Sequence, residues 1–114
     1  MILQSSSAIT DFSIVDDFVV YSNLNGDIVK QNFNKKDIKK IKLKNNFVLN
    51  SVDFQKNKLI FGTFNGSIFV VDPQNMVIKK ELKGHSRSVL KLYLYGGYLY
   101  SSSIDKKIKK WIIK

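Results

Sequence analysis

A repeat with a period of 40 residues runs through the chain and constrains its fold more than any other feature. The dipeptides Asn25-Gly26, Asn65-Gly66 and Asp105-Lys106 lie forty positions apart. They are hairpin-turn dipeptides or close relatives, since Asn and Asp tolerate the left-handed backbone conformation of tight turns. Apolar residues flank the turns in phase, in the columns Ile9/Leu49/Val89, Phe12/Val52/Leu92, Val19/Leu59/Leu99 and Ile28/Ile68/Ile108. This self-similarity indicates a repeat architecture with one supersecondary unit per copy.

Each copy is predicted to form short β-strands. Runs rich in Val, Ile, Phe and Tyr are bounded by Asp, Asn, Gly and Pro, and no long segment keeps a helical apolar period. The predicted strands cover residues 8–14, 18–22, 27–33, 38–43, 48–54, 58–63, 67–71, 77–82, 89–94, 98–103 and 108–113. Turn signals at 16–17, 55–57 and 96–97 separate the first two strands of each copy. The predicted fold class is all-β, with sequential four-stranded antiparallel sheets over 5–44, 45–83 and 84–114, the third ending after its third strand.

The third copy carries the most specific motif. It reads Gly84-His85, then an apolar strand, then a Ser-rich strand that leads to Asp105, and then Trp111. This pattern resembles a WD repeat (WD40), the four-stranded blade of a β-propeller. The resemblance departs from the family at Ile112, where the family's dipeptide has Asp, and the first two copies carry Gln31 and Val71 in the Trp column. It implies about three WD40-type blades that form a partial propeller.

The resemblance also implies a structural tetrad in the third copy. In WD repeats a His, a turn Asp, a strand Ser or Thr and the Trp are joined by hydrogen bonds, which here implies His85, Asp105, Trp111 and either Ser101 or Ser103. Such a network has a physical reason, because the indole N–H and the imidazole would otherwise be buried without partners. The same residue types could be interpreted as a Ser-His-Asp hydrolase trio, but no Gly-x-Ser-x-Gly elbow is present. We therefore expect no enzyme and no catalytic residue.

The composition excludes several kinds of site. The chain has no cysteine, which excludes disulfides, thiolate chemistry and cysteine metal sites, and its single histidine argues against sites that need two imidazoles. No phosphate-binding loop, dinucleotide fingerprint or EF-hand appears, so we expect no cofactor and no metal. No apolar run is long enough to span a bilayer and the N-terminus does not resemble a signal peptide, so a cytoplasmic location is expected.

The net charge of +10 has two interpretations. Lysines supply almost all of it, since Arg87 is the only Arg among nineteen basic residues. The lysines fall in blocks: Lys35, Lys36, Lys39, Lys40, Lys42 and Lys44; Lys79, Lys80 and Lys83; Lys106, Lys107, Lys109 and Lys110. They could form a basic face for nucleic acid, or they could be a solvated surface that also prevents sheet edges from pairing.

The predicted function is a non-catalytic scaffold for protein–protein interaction, with an RNA- or nucleic-acid-associated module as the alternative. Propellers close with about four to eight blades, so three copies cannot complete a ring. We expect completion by self-association as a six-bladed homodimer, by a partner, or by the remainder of a longer propeller. The predicted interface residues lie near the open ends of the stack: Ile2, Leu3, Tyr93, Tyr95, Tyr98, Ile112 and Ile113.

Overall fold

The computed structural model describes residues 1–34, 37–54 and 58–113, and every regular element in these ranges is a β-strand. The strands are β1 (Ile9–Val15), β2 (Phe18–Asn23), β3 (Asp27–Gln31), β4 (Lys39–Lys42), β5 (Val48–Asp53), β6 (Leu59–Thr63), β7 (Ile68–Asp72), β8 (Val77–Leu82), β9 (Val89–Tyr95), β10 (Tyr98–Ser103) and β11 (Ile108–Ile112). Each predicted strand has its counterpart, with ends displaced by one or two residues in most cases. The predicted turn at 55–57 and the block lysines Lys35 and Lys36 lie outside the described residues.

The strands form three separate antiparallel meanders. Their orders are β1-β2-β3-β4, β5-β6-β7-β8 and β9-β10-β11, so each sheet follows the chain without a crossover. The turn dipeptides of the repeat connect the second and third strands of each sheet, where Gly26 and Gly66 adopt positive φ angles. These observations confirm the all-β fold class and the repeat of four-stranded sheets, with three strands in the third.

The sheets stack through two apolar cores. The first core holds Val20 and Ile28 of the first sheet against Leu59, Phe61 and other residues of the second. The second core holds residues from the opposite face of the second sheet, such as Ile60, against the third sheet. Both faces of β6 and β7 are buried because side chains of a strand alternate between the two faces of its sheet.

The outer strands are much more exposed than the middle ones. Five of the six residues of β8 are exposed, and three of the four residues of β4 are lysines. The first strands of successive sheets contact one another, with β1 against β5 and β5 against β9. The first strand of each sheet therefore lies where neighbouring blades contact one another, and the fourth strand lies at the outer edge that faces solvent.

The two end faces of the stack are left without a neighbouring sheet. On the first sheet, Val19, Tyr21 and Val29 form a small cluster with Leu3 packed against it. On the third sheet, cross-strand pairing aligns Tyr100 with Tyr93 and Lys110. In the described part of the chain no helix has the length and apolar character needed to cross a membrane.

Candidate functional site

Two neighbouring strands, the turn between them and the loop before β9 bring the predicted tetrad residues together. Ser101 lies on β10 and Trp111 on β11, while Asp105 lies in the turn between these strands and His85 in the loop before β9. The pairing of Ser101 with Lys109 and of Leu99 with Trp111 directs the Ser101 and Trp111 side chains to the buried face of the sheet. The site therefore belongs entirely to the third sheet.

The four side chains form one chain of hydrogen bonds. Asp105 Oδ2 lies 2.9 Å from His85 Nδ1, and Ser101 Oγ lies 2.7 Å from His85 Nε2. Trp111 Nε1 donates to Ser101 Oγ over 2.8 Å. Every donor has an acceptor if Nδ1 carries the imidazole proton and the Ser101 hydroxyl donates to Nε2. The network is thus satisfied from the indole to the carboxylate.

Asp105 anchors the end of this network. Burial by itself raises the pKa of the carboxyl, but hydrogen bonds from His85 and from the backbone N–H groups of Ser86 and Lys107 hold the pKa below its usual value. The same carboxylate therefore joins the loop before β9 to the turn before β11, because the Ser86 N–H donates to Oδ2 and the Lys107 N–H donates to Oδ1. Asp105 remains ionised at neutral pH in this position.

The arrangement contains the residue types of a hydrolytic trio but not an accessible nucleophile. Ser101 is only 1% exposed, and its Oγ already accepts the Trp111 N–H. A substrate carbonyl would have to approach the hydroxyl oxygen, which needs open space next to it. His85 is also buried, so the network forms a closed interior structure.

Ser103 is not part of this four-residue hydrogen-bond network, although it lies on the same face of β10 as Ser101. Its hydroxyl donates to the Arg87 carbonyl over 3.0 Å and accepts from the Asp105 backbone N–H. It therefore braces the turn that carries Asp105 without touching His85. Of the two serines that the resemblance left open, Ser101 is the one that contacts both His85 and Trp111.

In the first two blades, side-chain amides and hydroxyls form the hydrogen bonds that connect the corresponding loop and turn. In the second blade, Asn46 Nδ2 donates to Thr63 Oγ1 and Asn46 Oδ1 accepts from the Asn65 N–H, both over 3.0 Å. In the first blade, Asn23 Nδ2 donates to Ser5 Oγ over 2.8 Å. Sequence reasoning did not find these networks. The available signal was the run of small polar residues forty and eighty positions before the loop that carries His85.

The predicted interface residues divide into exposed and covered groups. Exposed residues on the third sheet are Tyr93, Tyr95, Tyr98 and Ile112, and Ile2 is exposed near the N-terminus. Leu3 packs against the first sheet. Ile113 is not available for an interface, because its side chain is buried in the second core; this corrects the expectation for that residue.

Several lysines of the predicted basic blocks contact groups of the chain itself. Lys110 Nζ lies 4.0 Å from the Tyr98 ring centroid, and Lys42 Nζ lies 3.4 Å from the Asp27 carboxylate. Lysines in such contacts stabilise the surface on which they lie. Among the described residues of these blocks, Lys44, Lys106 and Lys107 are exposed to solvent.

The fold matches solved WD40 propellers. The chain superposes on U3-55K with a TM-score of 0.81 at 20% identity, over 97% of this chain and 38% of that one. The WD40 repeats of RRP9 give the same score and identity, and the WD40 β-propeller domain of Doa1 gives 0.80 at 17% identity. The structure is therefore that of consecutive WD40-type β-propeller blades.

Sequence comparison finds relatives of much greater length. The chain is 29% identical over 94 residues to a Lotus japonicus protein named Putative E3 ubiquitin-protein ligase LIN-2. It is 30% identical over 94 residues to the Medicago truncatula protein named Putative E3 ubiquitin-protein ligase LIN. Each match covers 81% of this chain but only 6% of the relative. No model of a known protein family matches the chain.

Proposed function

We propose that this chain is a non-catalytic scaffold for protein–protein interaction, in which a second copy supplies the blades that cover its two end faces. The observation that carries the scaffold role is the closed network around His85, which holds its reactive groups in the interior and leaves rigid blade surfaces outside. The blade ranges 5–44, 45–83 and 84–114 and a cytoplasmic location are parts of the same proposal.

The two end faces support this proposal because each one corresponds, forty residues along the repeat, to one of the two faces that meet where neighbouring blades pack together. In the first core, Val20 and Ile28 face the following sheet. In the second core the residues forty positions later, Ile60 and Ile68, do the same. The next members of these columns are Tyr100 and Ile108, and Ile108 is 78% exposed on the free face of the third sheet.

The free face of the first sheet has the matching pattern. Leu59, Phe61 and Phe69 of the second sheet pack toward the preceding sheet. Their counterparts forty residues earlier are Val19, Tyr21 and Val29, which line the free face of the first sheet. The exposed side chains Phe12 and Ile14 extend this apolar face. The two free faces are therefore complementary halves of one further blade contact.

A second copy presents both halves. The third sheet of each copy would pack on the first sheet of the other, and a two-fold axis would repeat the contact. Two sets of three blades make six, which is within the usual range for a closed propeller. Burial of the exposed tyrosines and isoleucines supplies the driving force for association.

Measurement of mass in solution tests the self-association. We expect a dimer at micromolar concentration, and we expect Ile14→Glu or Ile108→Glu to convert it to a folded monomer, because each places a charge in the contact. Val77→Glu changes an exposed residue of β8 in the same way and should leave the dimer intact. Mixing the Ile14→Glu and Ile108→Glu proteins should restore association, because one of the two contacts in the mixed pair is then unmodified.

A wild-type monomer with an intact fold would refute self-association and would favour blades from a partner or from a longer chain. The names of the sequence relatives concern E3 ubiquitin ligases, of which this chain matches 6–7% of the length. A match of this extent gives no catalytic role to these residues.

The alternative of a nucleic-acid-associated module depends on the lysine blocks. Contacts of Lys110 with Tyr98 and of Lys42 with Asp27 favour a structural role for part of these blocks. Binding of nucleic acid would fall steeply with salt, since phosphate contacts release counterions. A salt titration with labelled RNA therefore separates this alternative from the scaffold.

A further inference from the structure

An exposed apolar residue stands at the same turn position in all three blades. Leu24, Phe64 and Ile104 lie forty positions apart, each just before the turn dipeptide of its blade. They are 49%, 52% and 43% exposed. Turn positions of this kind usually carry Gly, Asn, Asp or Ser, so an apolar side chain in every blade needs a reason outside the turn itself.

The backbone holds these residues in the same way in each blade. The N–H of Leu24 donates to the Ala8 carbonyl, that of Phe64 to the Phe47 carbonyl and that of Ile104 to the Ser88 carbonyl, over 3.0, 2.9 and 3.1 Å. Each bond joins the turn to the start of the same blade. The exposed side chains therefore project from fixed backbone positions.

The three turns lie next to one another along one edge of the stack. Leu24 and Phe64 line one open pocket together with Phe47 and Lys44. The rings of Phe47 and Phe64 stack with centroids 4.8 Å apart. Ser88 connects the last two turns, because its Oγ donates to the Phe64 carbonyl and its own carbonyl accepts from Ile104. We call this edge the turn surface; it comprises Leu24, Lys44, Phe47, Phe64, Arg87, Ile104, Lys106 and Lys107.

The exposed charged side chains of the turn surface are all positive. Lys44, Arg87, Lys106 and Lys107 are exposed in its loops and turns. The acidic groups beside them already have partners. The Asp105 side chain is buried and bound to His85 and to two backbone N–H groups, and Asp27 is buried and paired with Lys42. A partner that docks here meets apolar side chains surrounded by unpaired cations.

We propose that the turn surface binds a peptide segment of a partner protein in which acidic residues flank apolar side chains. This inference rests on the proposed scaffold function and names the chemistry of its partner. The apolar side chains of the segment would pack on Leu24, Phe64 and Ile104, and its carboxylates would pair with the surrounding cations, which gives orientation and specificity. Single-stranded RNA fits less well, because bases stack on free aromatic faces, while Leu24 and Ile104 are aliphatic and Phe47 already stacks on Phe64.

Selection from a random-peptide library against the wild-type protein tests the proposal. We expect enrichment of peptides that combine Asp or Glu with Leu, Ile or Phe. The enriched peptide is then resynthesised with a fluorophore, and its affinity is measured by anisotropy at low and high salt. Affinity should fall as salt rises, because exposed ion pairs are screened.

Three variants locate the binding surface. Lys106→Glu with Lys107→Glu reverses exposed charges on the turn surface, and Leu24→Ser with Phe64→Ser removes its apolar side chains. Each should weaken binding of the resynthesised peptide by at least about fivefold, the usual effect of removing an important interface residue. The matched control is Lys79→Glu with Lys80→Glu, which makes the same charge change on the exposed face of β8. It should bind the peptide as the wild type does.

Other outcomes overturn the proposal. Selected peptides without acidic and apolar enrichment, or peptides that bind the turn-surface variants and the control equally, would exclude the turn surface and leave the scaffold function standing. Binding of oligouridine that is lost in the Lys106→Glu, Lys107→Glu variant, with no peptide enriched, would assign the surface to RNA and refute both proposals. The Leu24→Ser, Phe64→Ser variant should leave the mass in solution unchanged, because neither side chain belongs to the apolar cluster of an end face.

Discussion

Trp111 shows how one side chain combines packing with hydrogen bonding in the third blade. Its indole packs against the second core while its N–H donates to Ser101. Gly84 leaves room for the ring, since a Cβ at that position would lie 2.5 Å from Trp111 Cη2. The loop with His85 and the strand with Trp111 are therefore matched in shape as well as in hydrogen bonding.

At the residue scale we predict that Trp111 stabilises the fold. Trp111→Ala should lower the free energy of unfolding by about 3 kcal/mol, at the low end for large aromatic truncations because the ring is only half-buried. Trp111→Phe keeps most of the packing and loses the hydrogen bond, so about 1–2 kcal/mol is expected. His85→Ala should also lower stability, because it leaves Ser101 and Asp105 without their common partner. Chemical denaturation measures these changes, and an unchanged midpoint for Trp111→Ala would contradict a stabilising network.

At the element scale the middle sheet differs from its neighbours because sheets cover both of its faces. All five residues of β6 are buried, as are four of the five in β7, whereas β8 is mostly exposed. The alternation of apolar residues predicted all of these strands from the sequence. It could not show which faces are covered, because burial depends on whether another sheet lies alongside.

We predict that amide hydrogen exchange is slowest in β6 and β7. Their amides open only when both cores are disrupted, whereas β8 can separate at the outer edge with little loss of apolar burial. Exchange measured residue by residue should show this gradient within one sheet. Equal protection of β8 and β6 would mean that the second sheet opens as a single unit.

At the scale of the whole molecule, stability and assembly should be linked. If the free faces of the first and third sheets pack on a second copy, the dimer binds folded chains only. The melting temperature should then rise with protein concentration. The Ile108→Glu protein is the control, since its melting temperature should not depend on concentration. A wild-type melting temperature that is also independent of concentration would argue against the paired assembly.

The sequence by itself determined the repeat, the strand order and the turns, because these depend on local alternation and on residues such as Asn25-Gly26 whose backbone preferences are intrinsic. It also indicated His85, Asp105 and Trp111, through the resemblance of the third copy to a WD repeat. Only the tertiary structure distinguished Ser101 from Ser103, since both share one face of β10 and differ only in what lies opposite. Only the tertiary structure, likewise, shows that Ile113 is buried, that amide networks connect the loops and turns of the first two blades, and that Leu24, Phe64 and Ile104 lie along one edge. Each of these depends on contacts between distant segments, whose geometry the order of residues along the chain does not specify.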